Sequence, residues 1–158
     1  MSLGAMRMHI EEINAPVFEL DDMHPAKRFL EAFLDCLDDC VGRQHGLKGT
    51  PIDHEWRSAT DGRLWTFSGF AYTFLSYDIE LDGFLTNAPA LTESETDAIG
   101  KIPKLREYMR ECAEACRRDG NKEILALTDQ VNQLLDLWEE YIRFRQRTIQ
   151  RAHDQTQR

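Results

Sequence analysis

Apolar residues recur every three or four positions along most of this chain, the period of a helix with one face turned inward. After His24-Pro25, where a first-turn proline gives up an N–H that would have no partner anyway, Phe29, Leu30, Phe33, Leu34, Leu37, Cys40 and Val41 keep that period until Gly42 and Gly46. The spacing predicts a first helix there. Thr50-Pro51-Ile52-Asp53 repeats the start signal, with an acid near the new N-terminus, and predicts a second. Asp61-Gly62 reads as a break or kink in it, with no strands expected on either side. Leu64, Phe67, Phe70, Phe74, Tyr77, Leu81 and Phe84 then hold the spacing for about six turns, widened by Ala71, Leu75, Ile79 and Leu85. A helix from about Arg63 to Leu85, apolar around so much of its circumference, is expected to be the central and most buried element, with Phe70 and Phe74 in the core.

Asn87-Ala88-Pro89 ends that stretch. Thr92-x-x-Glu95 has the form of a capping box and opens a turn that Gly100 and Pro103 are expected to interrupt. Ile102, Leu105, Met109, Cys112 and Cys116 give a further amphipathic helix, closed by Asp119-Gly120. Asn121 caps the last helix, whose stripe runs through Ile124, Leu127, Val131, Leu134, Leu135, Trp138, Tyr141, Ile142 and Ile149, with Glu139 and Arg143 in the favourable order for an ion pair. The opening Met-Ser-Leu resembles a cloning remnant, so roughly the first five residues are expected to take no part in the fold. Residues 6–23 form an irregular lead-in, expected to cross the helices as an extended arm. The fold expectation is all-α: a single domain, built as a four- to five-helix antiparallel bundle with an irregular N-terminal arm.

Composition narrows the function classes. The 158 residues are 42% hydrophobic and 30% charged, which fits one globular core and excludes a disordered or collagen-like chain. A net charge of −9 disfavours broad electrostatic binding to nucleic acid or an anionic membrane. The uncharged stretch Leu64–Tyr77 is shorter than the ~20 residues a spanning helix needs, and the first twenty residues lack the apolar core of a secretory signal. A cytoplasmic protein without membrane contact is expected.

Several residue patterns could carry chemistry. Cys36-x-x-x-Cys40 and Cys112-x-x-x-Cys116 each place two sulfurs one helical turn apart, and four converging thiols could hold zinc. Three of the four already occupy apolar stripes, where free cysteine behaves as a small hydrophobe, so packed thiols are the expectation and a metal is not. Glu31, Asp35 and Asp38 share a helix face, and Asp78 and Asp82 lie a turn apart, an arrangement that could hold Mg²⁺. The all-α nucleotide pyrophosphohydrolases pair an E-x-x-E helix with a following E-x-x-D helix. Here Glu111-x-x-Glu114 has no such successor, and Glu19-x-x-Asp22 precedes it, which leaves that activity a remote alternative. Asp53-His54-Glu55, placed in the first turn of the expected second helix, points its side chains in different directions and suits the helix dipole better than catalysis. Phosphate-loop, H-E-x-x-H and C-x-x-C patterns are missing from the sequence.

The C-terminal end differs in charge. Between Arg143 and Arg158 five arginines face one acid, Asp154, a net +4 in an otherwise acidic chain. Cations there complement the helix dipole, and Arg143, Arg147 and Arg151 could also bind RNA or an acidic protein surface. Two segments carry a family resemblance. Leu64-Trp65-Thr66-Phe67-Ser68-Gly69-Phe70-Ala71, followed by Ser76, is similar to the aromatic, small-residue second helix of HEPN-type helical domains, and Arg147-Thr148-Ile149-Gln150-Arg151-Ala152-His153 has the R-x₄₋₆-H form of HEPN ribonucleases. The resemblance implies that Arg147 binds and polarises phosphate while His153 assists attack of the ribose 2′-OH, without metal. Six residues at about 100° each set these side chains about 120° apart on a straight helix, so they converge only after a helix break or across a dimer. Many HEPN-like domains bind without catalysing. The function expected first is therefore a non-catalytic, homodimeric interaction protein without a cofactor, and second an HEPN-like ribonuclease.

Overall fold

The computed structural model describes residues 8, 11–12, 15–75 and 89–156. Among them lie five helices and a two-stranded sheet: α1 (Ala15–Phe18), α2 (Pro25–His45), β1 (Glu55–Arg57), β2 (Leu64–Thr66), α3 (Phe67–Phe74), α4 (Glu93–Asp119) and α5 (Lys122–Thr156). The chain is mainly helical. No described helix is long and apolar enough to cross a membrane.

Local sequence explains most boundaries. The Thr92 hydroxyl accepts from the Glu95 N–H while the Glu95 carboxylate accepts from the Thr92 N–H, a complete capping box that starts α4. Gly120 ends α4 in the left-handed conformation (φ 75°), where a side chain would be strained. Asn121 then turns the chain and its side-chain oxygen accepts from the Ile124 N–H, starting α5. With so short a link, α4 and α5 run side by side in opposite directions. Arg106 reaches from α4 to Asp136 at 2.8 Å and Glu139 at 3.2 Å on α5. Helix α5 packs on α4 and on α2, α2 packs on α3, and β1 packs on α4. Leu30, Phe33, Leu34 and Leu37 of α2 meet Leu105, Met109 and Cys112 of α4 and Ile124, Leu134 and Leu135 of α5 in one core.

Four expectations are corrected. The second helix, from Thr50, is replaced by a hairpin: β1 and β2 pair antiparallel with Trp56 opposite Trp65. Asp61-Gly62 lies in the connection, where Gly62 has φ 72° and the Ser58 N–H donates to the Arg63 carbonyl. Three-residue strands contribute one buried side chain each, too few for alternation to register as a pattern. The long central helix begins four residues later than expected, because Leu64–Thr66 is β2. Thr66 caps α3 by accepting from the Gly69 N–H, and a Cβ at Gly69 would lie 2.8 Å from that hydroxyl. Phe70 is fully buried as expected, Phe74 is only partly buried, and Tyr77 to Leu85, with Asp78 and Asp82, lie outside the described residues. Third, α4 runs unbroken through Gly100 and Pro103; a proline there loses one backbone bond and crowds the Ile99 carbonyl, at a cost of about 3 kcal/mol, against which stands the burial of Ala98, Ile102, Leu105 and Met109 on the same helix. Finally, the lead-in is not simply extended, since Ala15–Phe18 is helical and Val17 and Phe18 pack on the core.

Candidate functional site

The hairpin is tied to α4 by polar groups, among them Glu111 of the E-x-x-E pair. Asp53 is not in a helix: its carboxylate accepts from the Ser68 N–H at 3.1 Å and from the Ser68 hydroxyl, at the start of α3. His54 Nδ1 faces the Asn121 amide nitrogen at 3.3 Å, which suits it as acceptor and leaves the Nε2 proton toward Asp119 Oδ2, 3.2 Å away but not aligned as a hydrogen bond. Glu55 is exposed on β1. The three side chains thus point to different places and converge on nothing. Glu111 spends both oxygens on the hairpin, accepting from Trp56 Nε1 at 3.2 Å and the Thr60 hydroxyl at 2.9 Å, and Glu114 pairs with Arg110 at 2.6 Å. Asp61 accepts from the Tyr108 hydroxyl at 2.7 Å and Trp65 Nε1 at 3.1 Å. Burial pushes the Asp61 carboxyl up, but bonds from the Arg63 N–H, Tyr108 and Trp65 outweigh it and hold it below its ordinary value. Burial and that same carboxylate push the Tyr108 hydroxyl up to about 12. These groups lock the hairpin to α4, a structural role.

The cysteines are unpaired thiols on helices that each pack on α5. Cys40, Cys112 and Cys116 are buried and Cys36 half-buried. Cys36 donates to the Gln130 carbonyl at 3.6 Å. A hydrogen bond from Cys40 holds the Cys36 thiol below its ordinary value, whereas Cys40, Cys112 and Cys116 are pushed up, the last two chiefly by burial. Among the described residues, no three His, Cys, Asp or Glu side chains are gathered as a metal site would need.

The last helix carries the remaining candidates. It is unbroken through Thr156, so Arg147 and His153 stand six positions apart on one helix and do not converge within a chain. Both are exposed. Arg143 is exposed and pairs with Glu139 at 2.6 Å; Arg147 and Arg151 are exposed on the same side one and two turns on. Between α4 and α5, beside Arg143, lies a groove of about 210 Å³ lined by Ile99, Ile102, Pro103, Glu139, Ile142 and Gln146.

Arg145 breaks from its neighbours. It is 1% exposed, and its Nε donates to Glu95 Oε2 at 2.8 Å, with Nη2 at 3.4 Å from Oε1 and 3.5 Å from the Ala90 carbonyl. Burial pushes the Glu95 carboxyl up, but Arg145 and the Thr92 N–H outweigh it and hold it below its ordinary value. Sequence reading counted Arg145 with the basic tail. The signal that could have separated it is its position: Trp138, Tyr141, Ile142, Arg145 and Ile149 share one helical stripe, so an inward arginine needs an inward acid. The basic face of α5 is therefore Arg143, Arg147 and Arg151.

No family model matches the chain, and neither the curated proteins nor the solved structures show a significant similarity to it.

Proposed function

We propose that this chain is a non-catalytic interaction module, an antiparallel helical bundle whose working surface is the arginine face of α5 and whose partner is an acidic protein surface. The observation that carries the reading is the register of exposed arginines: 143, 147 and 151 are one turn apart on a helix whose other tail arginine within it, Arg145, is turned inward. A rigid row of guanidinium groups about 6 Å apart matches carboxylates presented at helical spacing. Acids close the row at both ends, Glu139 and Glu140 before it and Asp154 after it, which suits a short acidic protein surface better than a long polyphosphate backbone running past them. Phe144, 43% exposed beside the row, offers apolar contact of the kind protein interfaces use. The ribonuclease reading needs Arg147 and His153 on one phosphate, and an unbroken α5 leaves that to a second chain.

Fluorescence anisotropy with a poly-glutamate peptide and with single-stranded RNA tests this. The reading expects poly-glutamate to bind, with Arg147→Glu and Arg151→Glu each weakening it and added salt weakening it further. Tighter RNA binding would move the partner class, and cleavage of that RNA without metal, lost in His153→Ala, would overturn the reading in favour of the nuclease.

A further inference from the structure

The exposed side of α5 changes sign along its length. At 100° per residue, Asp136, Glu140, Arg143, Phe144, Arg147 and Arg151 fall within an arc of about 100°. All six are exposed. The acids come first and the arginines follow, with Phe144 between Arg143 and Arg147. Arg143 is already compensated by Glu139, whereas Asp136 keeps 68% of its side chain in solvent despite its contact with Arg106. A parallel copy of this stripe would set acid on acid and arginine on arginine. Turned end for end, the stripe complements itself, the requirement for an isologous two-fold contact.

We propose that the acidic surface recognised by α5 is the α5 of a second copy of this chain. Two helices pair antiparallel about a two-fold axis near Phe144, with Glu140 of each facing Arg147 of the other and Asp136 facing Arg151. Both Phe144 rings come to the axis, where their exposed surface is covered. The helix dipoles then run in opposite directions, the favourable alignment. This inference rests on the reading of the α5 arginine face as a docking surface for acidic protein. It does not bring Arg147 of one chain to His153 of the other, since Arg147 faces Glu140 of the other chain and His153 lies about 20 Å further along that helix.

Light scattering on the full chain, as a function of concentration and salt, tests it. Wild type is expected to approach twice 18.4 kDa at low salt and to fall back as salt is raised. Arg147→Glu with Arg151→Glu makes the stripe wholly acidic, and Asp136→Arg with Glu140→Arg makes it wholly basic. Each double variant should associate with itself roughly tenfold or more weakly than wild type. An equimolar mixture of the two should form the dimer again, which also shows that both variants are folded. A wild-type mass that stays at 18.4 kDa at all concentrations, or a dimer indifferent to both double variants, overturns the proposal. If the protein is monomeric and still binds poly-glutamate through Arg147, the pairing fails while the docking face stands. If it does neither, both fail.

Discussion

Replacing Arg145 with Met tests the packing of α5 on α4 at its most sensitive point. The methionine fills the apolar stem's space but withdraws the guanidinium from Glu95, whose side chain is 7% exposed. The carboxylate keeps its bond from the Thr92 N–H at 3.0 Å and loses the one buried cation that faces it among the described residues. Removing one member of a buried ion pair costs about 3–5 kcal/mol, a large share of the ~5–15 kcal/mol that holds a domain folded. At this chain length each kcal/mol moves Tm by about 2–4 °C, so Arg145→Met should lower Tm by roughly 6–20 °C in a calorimetric or circular dichroism melt. Adding Glu95→Gln removes the orphaned charge while keeping a side chain that can still accept from Thr92. The double variant should therefore recover much of the loss, giving a clear coupling energy in the cycle. The acid side of the pH profile offers a second readout. Because Glu95 is held below its ordinary value of 4.5 in the folded chain, the stability it contributes is present above that value and fades as pH falls through the lower folded one. The gap between wild type and Glu95→Gln should therefore narrow on acidification below about pH 4.5. An Arg145→Met shift within about 0.5 kcal/mol, the range of ordinary surface changes, would refute the buried pair.

Phe70→Ala, at a fully buried ring between Trp56, Phe74 and Tyr108, should cost ~3–5 kcal/mol, and Phe74→Ala less because that ring is only partly buried; equal losses in a denaturant titration would contradict this packing. Asp61→Asn should bring the Tyr108 hydroxyl down from about 12 toward its ordinary 10 in an ultraviolet titration, with Tyr108→Phe identifying the signal; an unmoved titration would place the hydroxyl elsewhere. Since Tyr108 is raised in the fold, the stability linked to it is full below pH 10 and is lost as pH rises through about 12, a loss that Tyr108→Phe should remove. With an aromatic-disulfide thiol reagent, one cysteine should react in the native state and all four after denaturation; Cys36→Ser should abolish the native reaction, and fast labelling of Cys112 would contradict its burial.

Long periodic segments were legible because they repeat one signal many times. Pro25–His45, the Thr92 capping box, the Gly120 stop and the Asn121 cap all stand where local chemistry puts them. The hairpin was not legible, since Trp56 and Trp65 are single buried positions whose value lies in facing each other across a turn of six residues. Thr66 shows the same limit: within a run of aromatics it looks like one more helical residue, and only its bond to the Gly69 N–H makes it a boundary. The row Arg143, Arg147 and Arg151 could be read from spacing alone. The same spacing sets Arg145 apart, on the stripe of Trp138, Tyr141, Ile142 and Ile149, but not its partner: Glu95 is fifty residues away and is brought near only by the α4–α5 turn.

Backbone amide exchange read by mass spectrometry, comparing the chain alone with the chain in excess poly-glutamate, asks directly which surface docks. Slowed exchange is expected in α5, centred on the segment that carries Arg143, Arg147 and Arg151, with no such change in the Arg147→Glu, Arg151→Glu variant. Protection centred instead on the hairpin and the neighbouring face of α4, with α5 unchanged, would contradict it.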